Sequence, residues 1–162
     1  MDRGMTGKLF RNYQIGTSIE ETKSFTLKFN FMFTIEQIQA AHSHVKSGAD
    51  FPAYIQDLIR LGVTGYETYT RDGHTVYAGN DGLRIESDPI YNPLQVAAQS
   101  DKSRFQQYLK ANQTGKTDFI TFCNDSAASG IEKWVVDTVA MICTYFDKAG
   151  QKVLVEKIPT PK

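Results

Sequence analysis

The chain repeats its own pattern at a constant spacing. Residues 51–85 align without a gap with residues 119–153. The identical pairs are Phe51/Phe119, Asp57/Asp125, Gly62/Gly130, Thr70/Thr138, Tyr77/Tyr145 and Gly82/Gly150. Similar side chains form further pairs: Tyr54/Phe122, Val63/Ile131, Tyr66/Trp134, Arg84/Lys152 and Ile85/Val153. A repeat of this length predicts an internal duplication, in which both copies adopt the same local structure.

Composition indicates an ordinary globular protein and argues against several functional classes. The 162 residues include 18 Lys+Arg and 18 Asp+Glu, so the chain lacks the basic excess of a nucleic-acid-binding protein. Its two cysteines, Cys123 and Cys143, form no CxxC motif, and the histidines lack ligand spacing. No run approaches the roughly 20 apolar residues of a membrane span, and residues 1–13 precede no secretory apolar segment. We therefore expect a cytoplasmic protein with no metal, no cofactor, and no nucleic-acid or membrane partner.

The periodicity of apolar residues predicts the elements of the first copy. Residues 34–45 have helical spacing with Thr34 as the cap, and a second helix runs from an Asp50 N-cap to Leu61. Gly62 stands where a left-handed C-terminal cap belongs. Alternating residues then predict strands at 63–70, 74–79 and 83–86, with turns at Asp72-Gly73 and at residues 79–82.

The second copy has the same plan. Helices are predicted from Ser100 or Asp101 to residue 112 and from Thr117 or Asp118 to Gly130, followed by strands at 131–138, 141–146 and 151–157. One three-stranded meander with two helices buries too little surface to be stable alone. The sequence therefore predicts an α+β fold with two layers, in which both meanders form one antiparallel sheet covered by helices.

This pattern predicts one domain at 32–158, made of repeats 32–86 and 100–157, with a tail at 159–162. Residues 1–31 differ from the rest. The alternation of Phe25, Leu27, Phe29 and Phe31 is typical of a strand that could dock on a sheet edge. Alternatively, Met32 is the natural start and residues 1–31 are an upstream extension.

Several motifs are similar to those of a known family. They are Met32-Phe33-Thr34, Glu36-Gln37-Ile38, residues 47–51 with Tyr54, Gly62-Val63, Tyr66 with Asp72-Gly73, Thr117-Asp118, Phe122-Cys123 and, most distinctive, residues 129–137. From Met32 onward the chain resembles the YdfO-like family of bacterial and prophage proteins, often labelled "phage envelope protein". The resemblance implies a two-layer fold of helices and strands and a phage or prophage ancestry. It implies no activity, cofactor or catalytic residue.

Cys123 is the candidate for a reactive residue. It lies about one turn into a predicted helix, where the helix dipole could lower the pKa of a thiol. The repeat, however, places Ile55 at the equivalent position, which favours a packing role because a buried cysteine behaves as a small hydrophobic residue.

The candidate binding surface is the predicted sheet. If Tyr66 and Trp134 face the helices, alternation sends Glu67, Tyr69 and Asp137 to the other side, and Tyr77 and Tyr145 form a pair on one face. An open aromatic and charged face could bind a partner protein or small molecule. We take as candidate binding residues Glu67, Tyr69, Tyr77, Trp134, Asp137 and Tyr145. The alternative is that this face is only the solvated side of an antiparallel sheet.

No convergent catalytic set is visible, so the leading hypothesis is a non-catalytic interaction or ligand-binding domain. The first alternative is a small enzyme that uses Cys123 as its thiol. The second is a phage structural subunit, which would form a stable higher oligomer. The sequence predicts neither the ligand nor the oligomeric state.

Overall fold

The computed structural model describes residues 32–161, so the predictions made for residues 1–31 lie outside the described part of the chain. Over the described residues the order helix, helix and three strands occurs twice. The first half contains α1 (Ile35–His42), α2 (Phe51–Leu61), β1 (Val63–Tyr69), β2 (Thr75–Gly79), a 3₁₀ turn (Asn80–Gly82) and β3 (Arg84–Glu86). The second half contains α3 (Lys102–Gln113), α4 (Phe119–Ala128), β4 (Lys133–Asp137), β5 (Ile142–Phe146) and β6 (Lys152–Lys157).

The six strands of the described residues form one antiparallel sheet in the order β3-β2-β1-β4-β5-β6. Each half contributes a meander, and the two meanders join where β1 pairs with β4. The helices cover the face that carries the buried residues Tyr66, Val136 and Cys143. The predicted two-layer α+β fold is therefore confirmed.

The strand register is the same in both halves near the centre of the sheet. Glu67 lies opposite its own equivalent, Val135, and exchanging each residue for its equivalent in the other half reproduces every β1–β4 pair. The pairing of Tyr66 with Tyr77 likewise recurs as the pairing of Trp134 with Tyr145. The halves differ at the outer strands, because the β5–β6 register shifts by one residue and β6 is twice as long as β3.

Polar side chains begin three of the helices. At α1, Thr34 and Gln37 form a capping box, in which each side chain accepts a hydrogen bond from the other's backbone N–H. Asp101 and Asp118 accept hydrogen bonds from the N–H three residues on, at 2.9 and 2.8 Å. Such a cap contributes about 1 kcal/mol to the free energy of unfolding. The sequence predicted Thr34 as a cap, and the structure selects Asp101 and Asp118 from the predicted alternatives.

Asp50 precedes α2, as predicted, but its side chain does not cap that helix. Its carboxylate instead accepts hydrogen bonds from the N–H groups of Lys46 and Ser47, at 3.0 and 3.3 Å. The backbone at Asp50 is already helical (φ −88°, ψ −9°), which turns the side chain away from the first N–H groups of α2. Asp50 therefore closes the preceding turn.

Glycines with positive φ end α2 and follow α4. Gly62 has φ 90°, and its equivalent in the second half, Gly130, has φ 79°. This left-handed conformation turns the chain from each helix into the next strand without a Cβ clash. The prediction of a left-handed cap at Gly62 is confirmed.

One hydrophobic core extends through both halves. Ile55, Leu58, Phe105 and Cys123 on the helices are fully buried against the sheet. Full burial of one large apolar side chain contributes about 1.5–3 kcal/mol. Because the core is continuous, each half packs against residues of the other.

Candidate functional site

A pocket of about 100 Å³ lies between the helical layer and the sheet. All four described helices and every described strand except β3 contribute to its wall. Ten of the lining residues form pairs of equivalent positions, one from each half: Phe51/Phe119, Tyr54/Phe122, Tyr66/Trp134, Thr75/Cys143 and Tyr77/Tyr145. Both halves therefore contribute equivalent positions to the pocket.

Aromatic side chains on the sheet form the floor of the pocket. Tyr66, Tyr77, Trp134 and Tyr145 are all buried and point toward the helices. The rings of Tyr66 and Tyr77 are 5.5 Å apart, and those of Trp134 and Tyr145 are 6.5 Å apart. These distances are typical of aromatic pairs, which fix ring orientation more strictly than aliphatic contacts do.

The helices supply the opposite wall. Phe122 lies 5.5 Å from Trp134, and Phe119 meets the same indole edge-on at 6.4 Å and 87°. His42, at the end of α1, packs edge-on against Phe119 at 4.9 Å and against Tyr54 at 5.2 Å. Burial lowers the pKa of His42, because the imidazolium form loses hydration among these rings. The neutral form of His42 is therefore favoured at neutral pH.

Glu156 is the carboxylate of the pocket wall. It lies opposite Cys143 in the β5–β6 pair, on the inner side of the sheet. Gln113 donates a hydrogen bond to it at 3.0 Å, and burial raises its pKa. Within residues 32–161, Glu156 has no basic group close enough for an ion pair.

The buried hydroxyls of the pocket wall differ in whether they have a hydrogen-bond partner. Thr68 and Thr75 are buried and bond to each other at 2.8 Å. The Tyr54 hydroxyl is also buried, but it has no hydrogen-bond partner among the described residues. A buried hydroxyl without a partner costs free energy, and the side chain of Tyr77 is its polar neighbour.

Cys123 lies in the core and does not line the pocket. It is fully buried, and burial raises the pKa of its thiol to about 12. A nucleophilic cysteine requires the opposite shift, because the thiolate is the reactive form. Cys143 lines the pocket, but burial also raises its pKa to about 12.

The outer face of the sheet carries a cluster of mutually satisfied groups. Lys133 lies 3.5 Å from Glu67 and 5.6 Å from the Tyr69 ring. The Tyr69 hydroxyl donates to Glu67 at 3.0 Å, and its ring stacks on His74 at 4.5 Å. Asp137 accepts hydrogen bonds from the turn after β4. Each of these polar groups therefore already has a partner within the fold.

The structure divides the six candidate binding residues between the two faces of the sheet. Three line the pocket: Tyr77, Trp134 and Tyr145. The other three, Glu67, Tyr69 and Asp137, lie on the outer face. Residues directly opposite in an antiparallel pair share a face, so Tyr77 and Tyr145 follow Tyr66 and Trp134 inward.

Sequence reasoning missed His42 and Glu156 as pocket residues and treated Phe119 and Phe122 as folding residues only. The pairs Phe51/Phe119 and Tyr54/Phe122 were visible in the repeat and could have indicated a shared aromatic wall. Glu156 also has an acidic counterpart at the repeat spacing, Asp88. That pair lies beyond the end of the gapless alignment, and Asp88 is exposed after the end of β3, so the repeat gave no sign of a pocket carboxylate.

Among the residues that the structure describes, no three His, Cys, Asp or Glu side chains group as metal ligands would. No helix in this part of the chain is long and apolar enough to cross a membrane.

These features define an α+β domain with an aromatic pocket at the join of two similar halves. The chain belongs to the family described as "Protein of unknown function (DUF1398)", whose sequence profile matches residues 39–157. The match includes both halves and nearly all of the pocket. A search of curated proteins gave no match.

Proposed function

We propose that the protein is a non-catalytic binding domain that holds a small organic molecule between its helices and its sheet. The observation that carries the proposal is the aromatic pocket built from both halves. Ligand sites are typically concave, largely apolar and provided with a few polar groups. Here the polar side chains of the wall include Asn112, Gln113 and the Glu156 carboxylate.

The volume of the pocket sets the size of the ligand. A closed cavity of roughly 150 Å³ holds one benzene molecule. A pocket of about 100 Å³ that opens to solvent therefore suits one ring or a short branched chain, with a polar end at the mouth. Ligands of this size bind with dissociation constants of roughly micromolar to millimolar.

A binding role is favoured over the alternative of an enzyme that uses Cys123. The thiol is fully buried and its pKa is raised to about 12, which opposes nucleophilic attack. Cytoplasmic location and phage or prophage ancestry are part of the proposal. The ancestry is supported by the resemblance to the YdfO-like family. The role of a phage structural subunit remains an alternative.

We also propose that the two halves arose by duplication. The proposal is supported by the constant spacing of the paired residues and by the matching β1–β2 and β4–β5 registers. A duplicated unit that pairs through β1 and β4 brings its two aromatic sets together, and this join is where the pocket lies.

Trp134 makes the binding proposal directly testable, because it is the one tryptophan of the chain and lines the pocket. Titration with single-ring and short branched compounds up to millimolar concentration should give a saturable change in its fluorescence. Val45→Phe, which enlarges a partly exposed lining residue, should weaken binding at least tenfold. Val139→Phe is the matched control, because Val139 is 79% exposed and lies outside the pocket.

Two results would overturn the proposal. One is that no compound of the panel gives a saturable signal from Trp134. The other is that Val45→Phe and Val139→Phe bind as tightly as the unaltered protein, which would place the ligand elsewhere.

A further inference from the structure

The pocket combines aromatic ring faces with the carboxylate of Glu156, which has no ion-pair partner among residues 32–161. Eight aromatic residues line it: Phe51, Tyr54, Tyr66, Tyr77, Phe119, Phe122, Trp134 and Tyr145. The face of an aromatic ring carries negative electrostatic potential, so it attracts a cation that lies within about 6 Å of its centre. The rings alone would also accept a neutral ligand. A preference for a cationic ligand therefore depends on the charged groups of the pocket.

Glu156 supplies the negative charge of the pocket. The one hydrogen bond to its carboxylate from the described residues comes from the uncharged amide of Gln113. Burial raises the pKa of Glu156, which indicates that its ionised form is poorly compensated. A ligand that covers this carboxylate removes more of its hydration, and a cationic ligand replaces that hydration more fully than a neutral donor does, through a charge-assisted hydrogen bond.

The other titratable groups of the pocket do not cancel this charge. His42 is kept neutral by burial, which lowers its pKa. Lys157 also lines the pocket, but it is exposed to solvent, and it forms no ion pair with Glu156 within the described residues. An anionic ligand would therefore meet Glu156 without a buried cation from residues 32–161 to offset it.

A carboxylate enters the pocket from the second half and not from the first. β3 ends at Glu86, whereas β6 continues to Lys157, and Glu156 lies on this additional length. Asp88, at the equivalent spacing, is also acidic, but it is exposed, outside any strand and absent from the pocket wall. The place beside Thr75 is taken by Ser87, whose hydroxyl accepts a hydrogen bond from the Thr75 N–H at 2.9 Å. The pocket is thus charged at one end, as expected where a carboxylate sets the orientation of a ligand.

We infer that the pocket takes a small organic ammonium ion, with its charge against Glu156 and its apolar body among the aromatic rings. This inference rests on the proposed binding function and specifies its ligand class. The ammonium group hydrogen-bonds the carboxylate at the mouth, and the body lies against Trp134 and Tyr145.

The test uses ligands that differ in charge but share a body. Benzylammonium is compared with benzyl alcohol and benzoate, and isobutylammonium with isobutanol, at pH 7.5 by Trp134 fluorescence and calorimetry. Each ammonium ion should bind roughly tenfold more tightly than its alcohol, and benzoate should bind most weakly. The preference should decrease as salt is added, because part of the charge interaction at the mouth is screened.

Glu156→Gln keeps the shape of the side chain and removes its charge, so it should abolish the tenfold preference while the alcohols still bind. Glu86→Gln is the matched control, because the Glu86 side chain is 66% exposed and lies outside the pocket. If Glu156→Gln does not fold, the comparison of ammonium ion with alcohol in the unaltered protein still tests whether the pocket prefers a cationic ligand.

Equal affinity for ammonium ions and alcohols would overturn the inference and leave the binding function standing. An ammonium preference that persists in folded Glu156→Gln would also overturn it. Absence of saturable binding by every ligand would instead count against the binding function itself.

Discussion

Ile55 on α2 and Cys123 on α4 occupy equivalent positions in the two halves, and both are fully buried. The two side chains have similar surroundings, since each faces the sheet from the helix that precedes a central strand. Ile55 has no reactive group, so its role is packing. The equivalence indicates the same role for Cys123, whose thiol is then expected to be unreactive.

Neither cysteine should react in the folded protein. Burial raises the pKa of Cys123 and of Cys143 to about 12, so at pH 7.5 the thiolate is a very small fraction of each. Iodoacetamide treatment followed by intact-mass measurement should show no adduct on the native chain and two adducts after denaturation in urea. An adduct on Cys123 in the native protein would revive the enzyme alternative.

Alanine at Gly130 should destabilise the protein far more than alanine at Gly150. Both glycines have positive φ, 79° and 76°, so each substitution places a side chain in the left-handed region at a cost of about 1–2 kcal/mol. At Gly130 the new Cβ would also collide with the backbone carbonyl of Gln99, whereas at Gly150 the space is open.

Urea unfolding should therefore show a loss of about 1–2 kcal/mol for Gly150→Ala and roughly 3 kcal/mol or more for Gly130→Ala. Equal losses would mean that the connector at Gln99 moves aside, and that its packing against the α4–β4 turn adds little to stability.

The order of helices and strands could be predicted because it depends on local signals. Apolar spacing, the Asp-Gly turn and Gly62 act within a few residues of the chain. The exception is Asp50, whose side chain bonds back to Lys46 and Ser47. Its position in the sequence allows the Asp50 side chain to accept hydrogen bonds either from the preceding turn or from the start of α2. The backbone angles at Asp50 favour the preceding turn.

The pocket could not be predicted because it depends on which face of the sheet meets the helices and on the spacing between the layers. Alternation separates Tyr69 from Tyr66, but it does not say on which side Tyr77 lies until its pairing with Tyr66 is known. The inward position of Glu156 depends on the register shift beside Tyr145 and on the length of β6, and neither has a counterpart in the first half. The repeat therefore indicated the aromatic pairs of the pocket, but not the carboxylate that the second half alone contributes.

The stability of the protein should depend on the protonation of His42. Burial lowers its pKa in the folded state below the value near 6.5 of an unfolded chain. The unfolded state therefore binds the proton more readily, so stability is fully present above pH of about 6.5 and is lost as pH falls toward the folded pKa. Urea unfolding between pH 7.5 and pH 5 measures this slope.

His42→Gln should reduce that slope. If the variant keeps the full slope, the loss of stability on acidification arises from other groups, and His42 is hydrated more than its contacts with Tyr54 and Phe119 indicate.

Tyr54→Phe should leave the protein as stable as before, or more stable by up to about 1 kcal/mol, because it removes a buried hydroxyl that has no partner among the described residues. Tyr91→Phe is the matched control. It removes a hydroxyl that donates to the Thr70 carbonyl at 2.7 Å, and it should cost about 1 kcal/mol. Thermal and urea unfolding of the two variants give this comparison. A loss of stability in Tyr54→Phe equal to that in Tyr91→Phe would show that the Tyr54 hydroxyl is already bonded within the fold.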